Sequence, residues 1–268
     1  MNAARMSAVL LAEVRERRPL VHNITNLVVQ NFTANILLAV GASPVMAHAP
    51  EEVEEMARAA NSLVLNIGTL DESHLKSMAL AAAAACDEGR PVILDPVGAG
   101  ATKMRTQAAL SLLERFRVAV VRCNPGEAAS LLGQSGRTRG VESRTSGDQM
   151  QLARELARRF RVTAAVTGPE DAVCGSDSAF VVRNGHPLLQ RVTGTGCAAT
   201  AVVAAFCAAA SPEQRTLAVA GALAYFGLAA ERAASRAGSP GSFAVALLDE
   251  LAAIQPQDLE AGAKVTAE

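Results

Sequence analysis

The chain has 268 residues, half of them apolar, and a formal net charge of −1 at pH 7. Its lysines and arginines are scattered, so neither a nucleic-acid footprint nor a polybasic membrane patch is visible. With no Trp and Tyr225 as the single Tyr, aromatic stacking on nucleic-acid bases is not its expected mode of action.

Such a length suits one large α/β domain or two small ones. No Pro/Ser-rich linker or repeat divides the sequence, and one domain over 1–268 is expected. Cys86, Cys123, Cys174, Cys197 and Cys207 are odd in number and contain no CxxC pair. That pattern argues against a zinc site or redox dithiol and points to a reduced, cytoplasmic home. The start, "MNAARMSAVLLAEVRERRPL", is too charged for a secretory signal. The run "SMALAAAAACDEGR" falls short of the roughly 20 residues that span a bilayer and reads as a buried helix.

In chain order, "MSAVLLAEVRERR" has helical spacing and "PLVHNITN" is extended. "NLVVQNFTANILLAVGA" predicts a helix with Asn26 as N-cap and Gly41 as stop. "SPVMA" is a brief strand, and "PEEVEEMARAA" a helix with Val53, Met56, Ala57 and Ala60 on one face. The alternation continues through strand "SLVLNIG", a helix from Asp71 to about Cys86, and strand "PVILDPVG". Next come helix "TQAALSLLERF", strand "RVAVVRCN", helices "PGEAASLLG" and "SGDQMQLARELARRF", and strand "VTAAVTG". Apolar strands alternating with helices predict a mostly parallel sheet covered on both faces. "DAVCG", "SAFVVRNG" and "HPLLQRV" then read as an antiparallel meander at one edge. The last third is helical, over 196–210, 213–235 and 241–254.

Ligands of such sheets collect at the carboxyl ends of the strands. There the sequence places Asn66-Ile67-Gly68, then Asp95-Pro96-Val97-Gly98, then Arg122-Cys123-Asn124 with Glu127, then Thr167-Gly168. Asp95 either holds Mg²⁺ or caps a turn. Glu127 either joins it as a metal ligand or complements a helix dipole. Arg122 and Thr167 suit a nucleotide phosphate. Gly98, Gly100 and Lys103 lack the Gly-Lys-Ser/Thr of a P-loop. "RVTGTGCAATAVVAAF" brings Gly194, Thr195, Gly196 and Cys197 to the start of an Ala/Val helix. Glycines admit close backbone approach and a helix N-terminus attracts anions, so the turn reads as an anion hole. A thiol there is expected to ionise more readily than a free one.

The pieces "VHNITNLVVQNFTANILLAVGASPVMAHAPEEV", "NIGTLD", "VILDPVGAGAT" followed by "RT", "VVRCNPGEAASL", "VTG" and "VTGTGCAATA" together resemble the hydroxyethylthiazole kinase family of the ribokinase-like superfamily. They cover roughly residues 8–255. The resemblance implies a three-layer α/β/α fold and ATP-dependent phosphorylation of 4-methyl-5-(2-hydroxyethyl)thiazole, a thiamine salvage step, with Mg²⁺. It implies that Cys197 is catalytic, that Met46, Gly194 and Asn26 meet the thiazole, and that Arg122 and Thr167 meet ATP. Asp95 and Glu127 would lie by metal and phosphates. It also implies a homotrimer with active sites at subunit interfaces. One departure is Arg122-Cys123-Asn124-Pro125-Gly126-Glu127, where the family usually reads Arg-Gly-Asn before its Glu; a shifted loop is the expected result. Three rivals stand beside this reading. They are a pyrimidine or sugar kinase of the same superfamily, a thiol hydrolase pairing Cys197 with a His, and a nucleotide-binding protein without activity.

Overall fold

The short apolar runs and the 3.6-residue patterns between them form the alternation expected of them. The computed structural model describes residues 2–134 and 146–268. Its first half runs α1 (Ala3–Arg17), β1 (Leu20–Ile24), α2 (Gln30–Val40), β2 (Ser43–Val45), α3 (Val53–Ala59), β3 (Ser62–Asn66), α4 (Glu72–Asp87), β4 (Val92–Asp95) and α5 (Lys103–Arg115). Then come β5 (Val118–Cys123), α6 (Pro125–Leu131), α7 (Ser146–Phe160), β6 (Thr163–Val166), β7 (Asp171–Cys174) and β8 (Ala179–Val182). The chain closes with α8 (Thr195–Ala209), α9 (Arg215–Arg236), α10 (Pro240–Ala253), α11 (Pro256–Gly262) and β9 (Val265–Ala267).

Among the described residues the strands form one sheet, in the order β2-β1-β3-β4-β5-β6-β7-β8-β9. The neighbours from β2 to β6 are parallel, while β7, β8 and β9 make the antiparallel edge. Successive side chains of a strand face opposite ways. Val64, Ile93 and Val120 therefore pack with α1, α2, α8, α9 and α10 on one face. Leu63, Leu65, Val92, Leu94 and Val121 pack with α3 to α7 on the other. This is the three-layer arrangement the sequence predicts.

The Pro212–Arg236 helical segment is long and apolar enough to cross a membrane, yet 78% of its apolar stretch is buried inside the protein. It is a core helix, and the Tyr225 hydroxyl within it donates to the Leu251 carbonyl.

Three local expectations change. "HPLLQRV" is not a strand. Pro187 starts a 3₁₀ turn over Pro187–Arg191, capped by the His186 side chain, and β9 from the far C-terminus takes the place beside β8. α11 and β9 follow a helix that reads like the end of the fold, and their shortness hid them. Asn26 does not cap α2, which starts at Gln30 after Val29 without a side-chain cap. Gly41 does end α2, with a left-handed φ of 104°.

Candidate active site

β2 is added to one side of β1 and β3 to the other. This reversal leaves a crevice outside the carboxyl ends of β1 and β3. Asn26 lies just past β1 and Asn66 ends β3, and Asn26 Nδ2 donates to Asn66 Oδ1 at 2.9 Å. The helix cap assigned to Asn26 is thus replaced by a role in this crevice. Asn66 and Asp95 are register partners on neighbouring strands. Each follows a leucine of the opposite face, so both point toward α8. Asn66 Nδ2 donates to Asp95 Oδ2 at 2.9 Å, and the Thr200 hydroxyl on α8 donates to the same oxygen at 2.8 Å. Asn26 Nδ2 also reaches Cys197 Sγ at 3.4 Å. Two asparagines therefore link the thiol to the buried carboxylate.

α8 begins without a side-chain cap, and Ala198 N–H makes its first internal bond, to Gly194 O at 2.8 Å. The N–H groups of Thr195, Gly196 and Cys197 remain for a ligand, at the positive end of the helix dipole. Gly194 has φ 85°, and a Cβ there would sit 2.6 Å from Val29 Cγ1. No larger residue fits that turn. The Thr195 hydroxyl donates to the Leu189 carbonyl at 2.7 Å, so only its backbone is free to meet a ligand.

Arg122 also points to the α8 face. Its Nη2 donates to Thr167 Oγ1 at 2.7 Å, and a Cβ on Gly196 would lie 2.9 Å from its Nη1. Arg122 Nε is buried with no partner among the described residues. These groups line a cavity of about 550 Å³ that Leu189, Leu223 and Phe226 also border. Asp171 borders it too, accepting the Gly168 N–H at 3.0 Å. Burial pushes the Asp171 carboxyl up to about 6.

Glu127 stands at the β4–α5 loop. Its Oε1 accepts the Gly98 N–H at 2.8 Å and its Oε2 the Asn124 N–H at 2.9 Å. Asn124 Oδ1 accepts the Glu127 N–H in return, so Asn124 and Glu127 close a capping box at the start of α6. Burial, then Asp95, raises the Glu127 carboxyl above its ordinary value. Burial likewise raises Asp95, against the pull of Arg122. Two desolvated carboxylates that repel each other suit a divalent cation. Among the described residues no group of three or more His, Cys, Asp or Glu is placed to hold a metal. The donor set therefore fits Mg²⁺ completed by water and phosphate oxygens, not a closed protein cage.

The thiol departs from expectation. Burial, then the Asp95 carboxylate, pushes Cys197 above its ordinary value, and the Asn66 and Asn26 amides only offset this in part. Desolvation outweighs the modest pull of a helix end. No histidine activates it: His22 bonds the Ala47 carbonyl, His48 the Met46 carbonyl, His74 Asp71, and His186 the Leu188 N–H. That removes the support for the thiol-hydrolase reading.

The structure thus brings Asn26, Asp95 and Cys197 into one network, and Arg122, Thr167 and Gly196 into another. Met46 belongs to neither hydrogen-bond network; it is half-buried on the loop after the edge strand β2. Sequence reasoning missed several supporting residues. Thr200 was detectable only as a hydroxyl four residues after Gly196 in an apolar helix. Arg105 donates to the Ile67, Val97 and Gly68 carbonyls at 3.0, 2.8 and 2.5 Å, tying together the loops after β3 and β4. Its only signal was the Arg-Thr pair following "GAGAT".

The same layers recur in a ribokinase-like superfamily protein from Enterococcus faecalis, at TM-score 0.62 over 88% of this chain and 87% of that one, with 14% identity. The fold is the ribokinase-like one. A solved hydroxyethylthiazole kinase protein from Pyrococcus horikoshii is far nearer, with TM-score 0.90, 49% identity and coverage of 98% of this chain and 99% of that one. The hydroxyethylthiazole kinase of Desulfotalea psychrophila is 50% identical over 98% of this chain and 96% of its own length. The model of the hydroxyethylthiazole kinase family matches residues 11–257. The chain belongs to that family.

Proposed function

We propose that this chain transfers the γ-phosphoryl group of ATP to the hydroxyl of 4-methyl-5-(2-hydroxyethyl)thiazole, in thiamine salvage. We propose further that it acts in the cytoplasm as one catalytic domain with Mg²⁺. One observation carries the reading: Cys197 stands at the uncapped start of α8 and is bonded to Asn26 at the switch point. A group that can accept a proton and a row of free N–H donors thus share one spot. The alcohol oxygen bonds to the γ-phosphorus, the bond to the ADP oxygen breaks, and the hydroxyl proton passes to Cys197 in its thiolate form. Such transfers depend on positioning and on charge stabilisation. The N–H groups of Thr195 to Cys197 would meet the moving phosphoryl group, and Arg122 with Thr167 would hold the phosphates. Leu189, Leu223 and Phe226 offer an apolar wall for the base. Asp95 and Glu127 would hold Mg²⁺, which when bound neutralises phosphate charge. ATP consumption assayed with hydroxyethylthiazole, hydroxymethylpyrimidine and ribose tests this; preference for either of the others would overturn it.

Gly194 and Asn26 would border the thiazole, and Met46 would close its far side. Met46→Ala is then expected to raise the KM for the thiazole alcohol more than that for ATP. A loss of melting temperature with both KM values unchanged would return Met46 to packing.

The proposal includes a homotrimer with sites at subunit interfaces. Its support is that Leu27 and Val28, directly after Asn26, are 60% and 66% exposed. Apolar side chains beside a substrate crevice suit cover by another copy. Sedimentation equilibrium reads the mass, and a monomer would remove this part.

A further inference from the structure

The amino ends of the parallel strands carry a second cluster of charge, opposite the candidate active site. Arg90, Arg117 and Arg161 stand one or two residues before β4, β5 and β6, which are consecutive in the sheet. With Arg215 they line a cavity of about 450 Å³, and no carboxylate lines it among the described residues. Phe116 and Phe160 form part of its wall. Arg117 is held in place, donating from Nη2 to the Cys86 carbonyl at 2.7 Å.

A simpler account exists for three of these residues. They follow the C-termini of α4, α5 and α7, where a cation complements the helix dipole. That account does not cover Arg215, which lies near the N-terminal end of the Pro212–Arg236 helical segment, just after the 3₁₀ turn Pro212–Gln214 that carries Glu213. A cation is unfavourable at that end. Glu213, just before it, accepts from the Ser211 hydroxyl at 2.7 Å and lines the neighbouring groove, which Arg161 and Arg215 also border. Nor does the dipole account for Arg90 Nε, which is buried with no partner among the described residues. Arg161 adds a third oddity, holding φ 56° where glycine is the usual residue.

We propose that this cavity binds a small polyphosphate anion, inorganic or the ester of an aromatic alcohol. Guanidinium forks match phosphate oxygens in pairs, and the phenylalanine rings would receive an aromatic group. The concave shape and the net charge of −1 favour a small anion over nucleic acid.

The test compares the full chain with Arg161→Gly/Arg215→Gln by calorimetric titration with inorganic pyrophosphate and, separately, with an aryl diphosphate. Neither residue belongs to the candidate active site, and glycine suits the backbone at 161. One class of binding site should weaken roughly tenfold or more in the variant, while kcat and the KM for ATP stay unchanged. The tighter of the two probes identifies the source. Superimposable isotherms would overturn the proposal. So would a short single-stranded oligonucleotide that binds more tightly than either probe and is lost in the variant. If the double variant fails to fold, Arg161→Gly alone carries the same comparison, with a smaller loss expected and equal isotherms again decisive.

Discussion

Asp95→Asn is expected to lower turnover about 10²–10³-fold, the effect of removing one preorganised electrostatic group, while the melting temperature holds or rises. Asparagine keeps the shape and can still accept from Asn66 and Thr200, which both donate to one oxygen, Oδ2. What disappears is the charge facing Glu127 and the nucleotide. The Mg²⁺ concentration needed for half-maximal rate should rise as well. The stability half follows from the sign of the shift, because burial raises the folded-state carboxyl above its ordinary 3.8. Below the unfolded value both states are protonated, and folding bears no charge burial. As pH rises toward the raised folded value, the unfolded chain ionises first and stability falls. Asp95→Asn removes that loss, so its melting temperature should vary less between mildly acidic and neutral pH. Thermal melts across that range, with kcat against Mg²⁺, read both halves. Full turnover with an unchanged Mg²⁺ requirement would leave Asp95 a structural role only.

The frame of the site was legible because strand ends are punctuated. Asp95, Arg122 and Thr167 each interrupt or follow an apolar run, and period-two alternation turns all three to the face that α8 covers. Gly194 to Cys197 were legible because packing gives no reason for such a turn before an Ala/Val helix. Side-chain partners across long separations were not legible. Asn26 has the composition and position of a helix cap, and only the β1/β3 reversal shows that its amide serves Asn66 and Cys197 instead. Thr200 looks like one more small residue in α8 until Asp95 lies opposite it. The direction of the Cys197 shift was also out of reach. The helix end can be read from sequence, whereas burial and the nearby carboxylate depend on the folded neighbourhood. Short elements failed for another reason: β9 has three residues, and its pairing with β8 gives it a strand that local propensity does not.

Cys197→Ala is expected to slow turnover about 10²-fold, the lower end for loss of a general base, without abolishing it. The N–H groups of Thr195 and Gly196 and the Arg122 fork remain, and they supply much of what phosphoryl transfer needs. The lower end is chosen because the thiol is raised above its ordinary value. At neutral pH it is mostly protonated and a poor acceptor. The parent enzyme should therefore gain turnover as pH rises toward the thiol's own ionisation. Cys197→Asp replaces the thiol with a carboxyl that ionises in the acid range, even with Asp95 nearby raising it. It should remain an active kinase, with the rise in rate moved to the acid side and a flat profile above neutrality. A covalent role for the sulfur demands the opposite, since neither variant could form a bond through sulfur. Steady-state kinetics of the three proteins across pH, with circular dichroism as the folding control, separate the two. A Cys197→Asp variant that folds and binds ATP but does not turn over would sink the base role. An alkaline rise that survives in Cys197→Ala would assign that ionisation to another group.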